Sequence, residues 1–395
     1  MLRFLTAGES HGPALTVVVE GLPAGLVVER AAIDSDLRRR QGGYGRGNRM
    51  KIESDGVEIL GGLRHGRTLG SPITLLIRNR DFENWRDVMS PDPRPAEARR
   101  RKALRQPRPG HADLAGALKF LNDDLRDVLE RASARETAAR VAAGALAKQL
   151  LHASGSAVRS HVLSIGGATI SGETVAWERL ASVEDSPVRC VDAGVSSAMV
   201  GEIDAAKKAG DTVGGEFEVV VRGLPPGLGS YAQWDRRLDG RLAQALMSIP
   251  AVKAVSLGAG AESGQTPGSR FHDEILYADG AGILRPSNRA GGLEGGVTNG
   301  EELRARAMVK PIPTLMKPLR SIDIQTKEPH SAGVERSDTC VVPAAAVVGE
   351  AMVSLVVADA LLEKFGGDSL VEYLDHLHTS QARVRDFSAR RTEEA

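Results

Sequence analysis

Two periods organise the apolar positions of this chain. Short β-branched or alternating runs predict strands over residues 17–19, 57–60, 73–78 and 219–221. Helical spacing of apolar and alanine positions predicts helices over 31–40, 115–128, 138–151, 198–209 and 234–247. Gly210 supplies a stop for the fourth of these. The most apolar stretch, 343–365, begins with a proline suited to a first helical turn and ends at Gly366-Gly367. It carries Glu350, Asp359 and Glu363, so it predicts a buried helix and not a membrane span. Residues 84–109 are rich in proline and charge and read as an excursion or lid. Residues 381–395 read as a polar, frayed tail.

One pattern occurs twice. Val17-Val18-Val19-Glu20-Gly21-Leu22-Pro23-Ala24-Gly25-Leu26 is echoed by Val219-Val220-Val221-Arg222-Gly223-Leu224-Pro225-Pro226-Gly227-Leu228. Each is a strand closed by a Gly-Leu-Pro-x-Gly turn and followed by a helical pattern. The echo predicts one domain over 1–380 built from two related halves, about 1–165 and 190–380.

Composition narrows the function classes. The 395 residues are 42% apolar and 26% charged, with a formal net charge of zero. That balance gives no bulk attraction to nucleic acid or anionic lipid. Aromatics make up 4%, too few for a base-stacking platform. Cys190 and Cys340 are the two cysteines, so no disulfide framework is expected, and a reducing cytoplasm is the expected setting. The remaining histidines show no metal-ligand spacing, and no metal is expected.

Against this neutral background, positive charge is concentrated at Arg38-Arg39-Arg40-Gln41-Gly42-Gly43-Tyr44-Gly45-Arg46-Gly47-Asn48-Arg49. Guanidinium groups grip carboxylate and phosphate through paired hydrogen bonds, and glycine lets backbone approach the anion. Two histidines sit in tight glycine loops, His11 in Gly8-Glu9-Ser10-His11-Gly12 and His111 in Pro109-Gly110-His111-Ala112-Asp113. Both are poised to move protons near neutral pH. Arg105 and Arg108 precede the second. Glu130-Arg131-Ala132-Ser133-Ala134-Arg135-Glu136-Thr137 opens an alanine-rich helix, a natural anion site. A second glycine-rich loop spans 288–300, Lys310-Pro311-Ile312-Pro313-Thr314 offers a cation on stiff backbone, and Arg336-Ser337-Asp338 adds a carboxylate. Together these features describe a site for a small ligand with several negative charges.

These blocks, in this order and over nearly the whole chain, resemble the chorismate synthase family. The resemblance implies a single α+β fold, helices sandwiched between antiparallel β-sheets and internally duplicated. It implies an anti-1,4 elimination of phosphate from 5-enolpyruvylshikimate 3-phosphate, giving chorismate, the last step of the shikimate pathway. Reduced FMN is required without net redox change. In the roles carried over, His11 protonates the departing phosphate, and His111 lies at the flavin N1 edge. Asp338 helps flavin N5 take the C6 proton. Arg40, Arg46, Arg49, Arg108 and Arg135 clamp the substrate. FMN contacts fall on Arg131, Ala132, Ser133, Pro250, Ala251, Gly296, Lys310, Pro311, Ile312, Pro313, Thr314 and Arg336, and NADP contacts on Arg40 and Arg46. The resemblance further implies a cytoplasmic homotetramer. NADPH would be its ultimate reductant, acting through a separate flavin reductase. Lys253-Ala254-Val255-Ser256-Leu257-Gly258 departs from the family's Lys-Gly-x-Glu-x-Gly. Two other readings stand beside this one: an RNA-binding protein acting through the arginine-glycine segment, and a flavin-independent phosphate lyase using the two histidines alone.

Overall fold

A computed structural model describes residues 1–47, 53–93, 95, 97, 102–170, 174–280, 282–335 and 337–389. Two sheets enclose a layer of helices. The first sheet contains β1 (Arg3–Ala7), β2 (Ala14–Glu20), β3 (Val57–Gly61) and β4 (Ile73–Arg78) in the order β1-β2-β4-β3. The second contains β5 (Ala157–Ile165), β6 (Ala168–Thr169), β7 (Gly215–Arg222), β8 (Val252–Leu257) and β9 (Leu303–Val309) in the order β8-β9-β7-β5-β6. Every pairing is antiparallel.

Between the sheets run α4 (Thr137–Ala153) and α7 (Val342–Phe365). Helix α4 lies under the first sheet and α7 under the second. The two helices meet so closely that a Cβ on Gly144 would fall 2.4 Å from the Ala351 Cα, so only glycine fits there. Helix α7 is apolar all round because it is buried all round, as the charges within its sequence predict. Glu350 at its centre is fully shut from solvent, where Arg39, Lys148, Arg189 and Ser160 surround it. Of the three consecutive arginines, Arg39 is therefore spent on the core, and Arg38 is exposed.

The sheets are laid out alike. In each, the first strand pairs with the second, the second with the fourth and the fourth with the third, β6 being an addition at the edge of the second sheet. The repeated turns match atom for atom. Leu26 N–H donates to Thr68 Oγ1 (2.9 Å), which donates to Pro23 O (2.5 Å). Leu228 N–H donates to Thr298 Oγ1 (2.8 Å), which donates to Pro225 O (2.8 Å).

Helices α1 (Arg30–Gln41), α5 (Ala193–Ala209) and α6 (Leu238–Met247) fall within or around their predicted spans. Helix α5 starts earlier than expected because Asp192 caps it, its carboxylate accepting from Val195 N–H at 2.8 Å. Two expectations are corrected. The helix expected over 115–128 is two, α2 (Asp113–Phe120) and α3 (Arg126–Ala132), because Leu121 takes a left-handed φ of 58° and the chain folds back. The expected polar tail is helical through residue 389: α8 (Leu370–Ala389) continues past 381 and is tied down where Ser388 Oγ accepts from Ile283 N–H at 3.0 Å.

Candidate active site

A cavity of about 530 Å³ opens where the end of α1, the α3–α4 junction and the start of α7 converge. That volume lies in the range of small-molecule sites. The junction of α3 and α4 forms because Ser133 is extended (φ −65°, ψ 141°) and its hydroxyl accepts from Arg135 N–H at 3.3 Å. The short turn Ala134–Glu136 and the first residue of α4 thus line the cavity through Ala134, Arg135 and Thr137. This end of a helix favours anions.

Two guanidinium groups dominate this wall. Arg40 donates from Nε to Thr137 Oγ1 (2.9 Å) and from Nη2 to Ala134 O (2.9 Å). Arg135 donates from Nε to Asn79 Oδ1 (2.9 Å) and from Nη1 to Asp55 Oδ2 (2.7 Å). Arg40 Nη1 and Arg135 Nη2 are buried and find no hydrogen-bond acceptor among the described residues. Burial, and then the neighbouring charge of Arg135, bring Arg40 down to about 9 despite the pull of Asp55. It remains charged at neutral pH, and it shares the nearby carboxylate of Asp55 with Arg135.

The histidines are each backed by a carboxylate. His11 Nδ1 donates to Glu130 Oε1 (2.8 Å) and its backbone N–H donates to Glu130 Oε2 (2.7 Å). Burial alone would raise the Glu130 carboxyl, but the hydrogen bond and charge of His11, with Arg126, pull it below its usual value. An ionised carboxylate only accepts, so the proton sits on Nδ1 and Nε2 is left for a ligand. His111 repeats the device with Asp113, Nδ1 to Oδ1 at 2.6 Å. Asp113 is also forked by Arg108, whose Nε and Nη2 donate at 2.8 and 3.0 Å. Burial opposes ionisation of Asp113, but His111 and Arg108 together hold it far below the carboxylate range. Arg108 Nη1 goes to Thr314 Oγ1 at 2.9 Å. Three of its N–H donors are thus held by Asp113 and Thr314, and through Asp113 it helps to position His111 at the cavity wall.

Asp338 is fixed by the glycine-rich loop. Its Oδ2 accepts from Arg46 Nη1 (2.6 Å) and its Oδ1 from Gly47 N–H (2.6 Å). The loop reaches it because Gly45 adopts φ 85°, and a Cβ there would stand 2.9 Å from Ile203 and 3.2 Å from Cys340. Over its described residues, 38–47, the arginine-glycine segment runs from the end of α1 into a tight turn packed on Cys340 and Asp338, unlike a disordered RNA-binding box.

The structure brings together His11, His111, Asp338, Arg40, Arg46, Arg108, Arg135, Ala132, Ser133, Pro250, Ala251, Lys310, Ile312, Pro313 and Thr314 on this cavity. Lys310 Nζ donates to Gly110 O, and burial, then Lys253, lower its pKa. Pro311, Arg131 and Gly296 are not on the wall. Arg131 turns away to Gly8 O, Thr6 O and Thr6 Oγ1, and Gly296 O accepts from Leu238 N–H at the start of α6. Arg49 and Arg336 lie outside the described residues. Sequence reasoning missed Ser10, whose hydroxyl lies 3.0 Å from that of Ser133, and Trp85, Glu130, Asp113 and Asp55. The i,i+2 spacing of His111 and Asp113 was a usable signal; Asp55 and Glu130 gave none, because their partners are distant in sequence. Among the described residues no group of three metal-ligating side chains occurs. The replaced position Ser256 lies on β8, its hydroxyl buried with no hydrogen-bond partner among the described residues.

The chain matches the family model described as chorismate synthase over residues 2–362. It is 59% identical over 370 residues to a chorismate synthase of Moorella thermoacetica, covering 94% of this chain and 96% of that one. It is 57% identical to one of Symbiobacterium thermophilum, over 94% and 97% of the two chains. It is 51% identical to one of Geobacillus thermodenitrificans, over 98% and 100%. A crystal structure of chorismate synthase matches with a TM-score of 0.79 and 42% identity, over 98% of this chain and 99% of that one.

Proposed function

The chain belongs to the chorismate synthase family of carbon–oxygen lyases, and we propose that its cavity holds 5-enolpyruvylshikimate 3-phosphate and eliminates phosphate from it to form chorismate. One observation carries the assignment of the cavity. Two carboxylate-backed histidines share it with two buried guanidinium groups that each keep a hydrogen-bond donor without an acceptor among the described residues. The substrate has a phosphate and two carboxylates, any of which can accept from those donors.

Arg40 and Arg135 bind the anionic groups at the amino-terminal end of α4. His11, held through Nδ1 by Glu130, delivers a proton from Nε2 to the phosphate oxygen as the carbon–oxygen bond breaks. Asp338, oriented by Arg46 and the Gly47 N–H, is the carboxylate that assists departure of the C6 proton. Arg46 thereby acts through Asp338 as well as on the ligand.

The residues fit a reduced flavin. An apolar wall of Ile249, Pro313, Val341, Ala344, Ala345 and Val348 faces the polar one and suits an isoalloxazine ring. Ala132, Ser133, Pro250, Ala251, Lys310, Ile312, Pro313 and Thr314 would hold the group, with His111 at its edge. Reduced FMN, when bound, supplies an electron-rich ring that lends charge to the substrate during elimination and is returned unchanged. NADPH serves as the ultimate reductant through a separate reductase, and the setting is the cytoplasm. The assembly in this reading is a homotetramer, and the exposed cross-strand pair Leu5 and Val18 on the first sheet offers apolar surface for a contact between subunits.

Anaerobic release of inorganic phosphate from the substrate tests the reading. Release that requires reduced FMN supports it. Equal release without flavin favours the flavin-independent lyase, and no release in either case overturns it. The RNA-binding reading predicts tight, steeply salt-dependent RNA retention on a filter.

A further inference from the structure

The imidazole of His11 lies nearly flat on the indole of Trp85, with ring centroids 3.9 Å apart and planes inclined by 23°. Trp85 is itself held: it is 7% exposed, and its Nε1–H donates to Asp81 Oδ2 at 3.2 Å. The indole also carries two cations, Lys102 Nζ at 3.5 Å from its centroid and the Arg126 guanidinium carbon at 5.0 Å. Arg126 continues to Glu130 Oε1 at 3.4 Å and to Glu335 Oε1 at 3.0 Å. The charged groups around His11 are therefore Glu130 and Arg126 from α3, Lys102 and Asp81 around the indole, and Glu335 beyond Arg126.

A hydrogen bond at Nδ1 fixes one corner of an imidazole and leaves the ring free to turn about that bond. A flat partner removes the remaining freedom. We propose that Trp85 is the positioning residue of His11: Glu130 sets the point and Trp85 sets the plane, so that Nε2 faces the cavity. This inference rests on the role given to His11 above. Trp85 lies near the start of the stretch 84–109, and His111 follows two residues after that stretch ends.

The test uses the full-length protein with ¹³C-labelled histidine, comparing wild type, Trp85→Leu and Trp85→Phe, with His11→Gln to assign the resonance. Ring-current shielding places the wild-type His11 ring protons upfield of an unstacked histidine. In Trp85→Leu they return downfield. Under anaerobic conditions with reduced FMN, kcat falls about tenfold to a hundredfold in that variant, as a misdirected reacting group does, while KM changes little. Trp85→Phe, which keeps a flat ring, recovers most of kcat. Unshielded His11 resonances in the wild type overturn the proposal even if Trp85→Leu fails to fold. So does a variant that raises KM at constant kcat, because Trp85 is then a wall for substrate. A Trp85→Phe protein no better than a folded Trp85→Leu also overturns it. A wild type that releases no phosphate defeats the functional reading and leaves the stacking result readable.

Discussion

Arg135 Nη1 donates to Asp55 Oδ2 over 2.7 Å, with both side chains shut away from solvent. The same carboxylate oxygen stands 3.6 Å from Arg40 Nη1, so one anion is shared by two cations. Glu53 adds a second carboxylate, 3.8 Å from Arg135 Nη2 and too far for a hydrogen bond. The site is thus buried and charged, and Arg40 Nη1 and Arg135 Nη2 still have no hydrogen-bond acceptor among the described residues, so both are available to an incoming anion. Inorganic phosphate should raise the melting temperature of the wild type, with stabilisation of about 2.7 kcal/mol at about one hundred times its Kd. In Arg135→Met most of that ligand-dependent rise should vanish. A thermal-shift titration checks it; an equal rise in both proteins would place the anion elsewhere.

Asp113 couples catalysis to acid stability. At neutral pH, Asp113→Asn should cut kcat by about a hundredfold, because His111 loses the group that fixes its tautomer and Arg108 loses its partner. The acid effect has a definite sign. The folded pKa of Asp113 is depressed, so its contribution is present above the ordinary carboxylate range and is lost as pH falls below about 4. Urea unfolding of the wild type should therefore weaken through that window, and the Asp113→Asn protein should show a shallower loss. Parallel pH slopes in the two proteins would contradict this.

Much of the scaffold was legible because its signals are local. The apolar run ending at Gly366-Gly367 could be read as a buried helix, and the alanine-rich run before Ser154 as a helix, from local pattern and composition. The repeated Gly-Leu-Pro-x-Gly turn also pointed to two like halves. We read the matching strand orders and the matching Thr68 and Thr298 hydrogen bonds as the mark of an internal duplication. The break at Leu121 was hidden, because a left-handed leucine carries no sequence signature. The site was legible through its family blocks, but the division of labour among arginines was not. Arg39 and Arg40 are adjacent in sequence, and one turns to Glu350 in the core while the other turns to the cavity. Burial decides between those fates, and burial is a property of packing across the whole chain.

Gly45→Ala tests how the loop carries Asp338. The residue has φ 85° and has Ile203 and Cys340 where a methyl group would go. Strain of this kind costs about 1–3 kcal/mol. It should be relieved by withdrawal of the loop, which pulls Arg46 from Asp338. The expected outcome is a modest loss of stability with a large loss of kcat, measured by urea unfolding and anaerobic turnover. A variant with full turnover would show that Asp338 does not depend on the loop.

Glu350 offers the sharpest test of the core. It is fully buried, with Arg39 donating at 2.8 Å, Lys148 at 2.5 Å, Ser160 at 2.7 Å and Arg189 at 3.2 Å. Burial opposes its ionisation, but Lys148, Arg39 and Arg189 hold its carboxyl well below the usual value. Glu350→Gln keeps the shape and removes the charge, leaving three cations around a neutral amide. Breaking a buried pair costs up to about 3–5 kcal/mol, and the loss is smaller here because Asp36 still pairs with Arg39 and Lys148, and Glu184 with Arg39 and Arg189. Paired with Lys148→Met, the double variant should recover part of that loss, since one stranded cation is then gone. Equilibrium urea unfolding of the two single variants and the double measures the coupling. Strict additivity would mean that Lys148 and Glu350 do not interact across the α4–α7 contact.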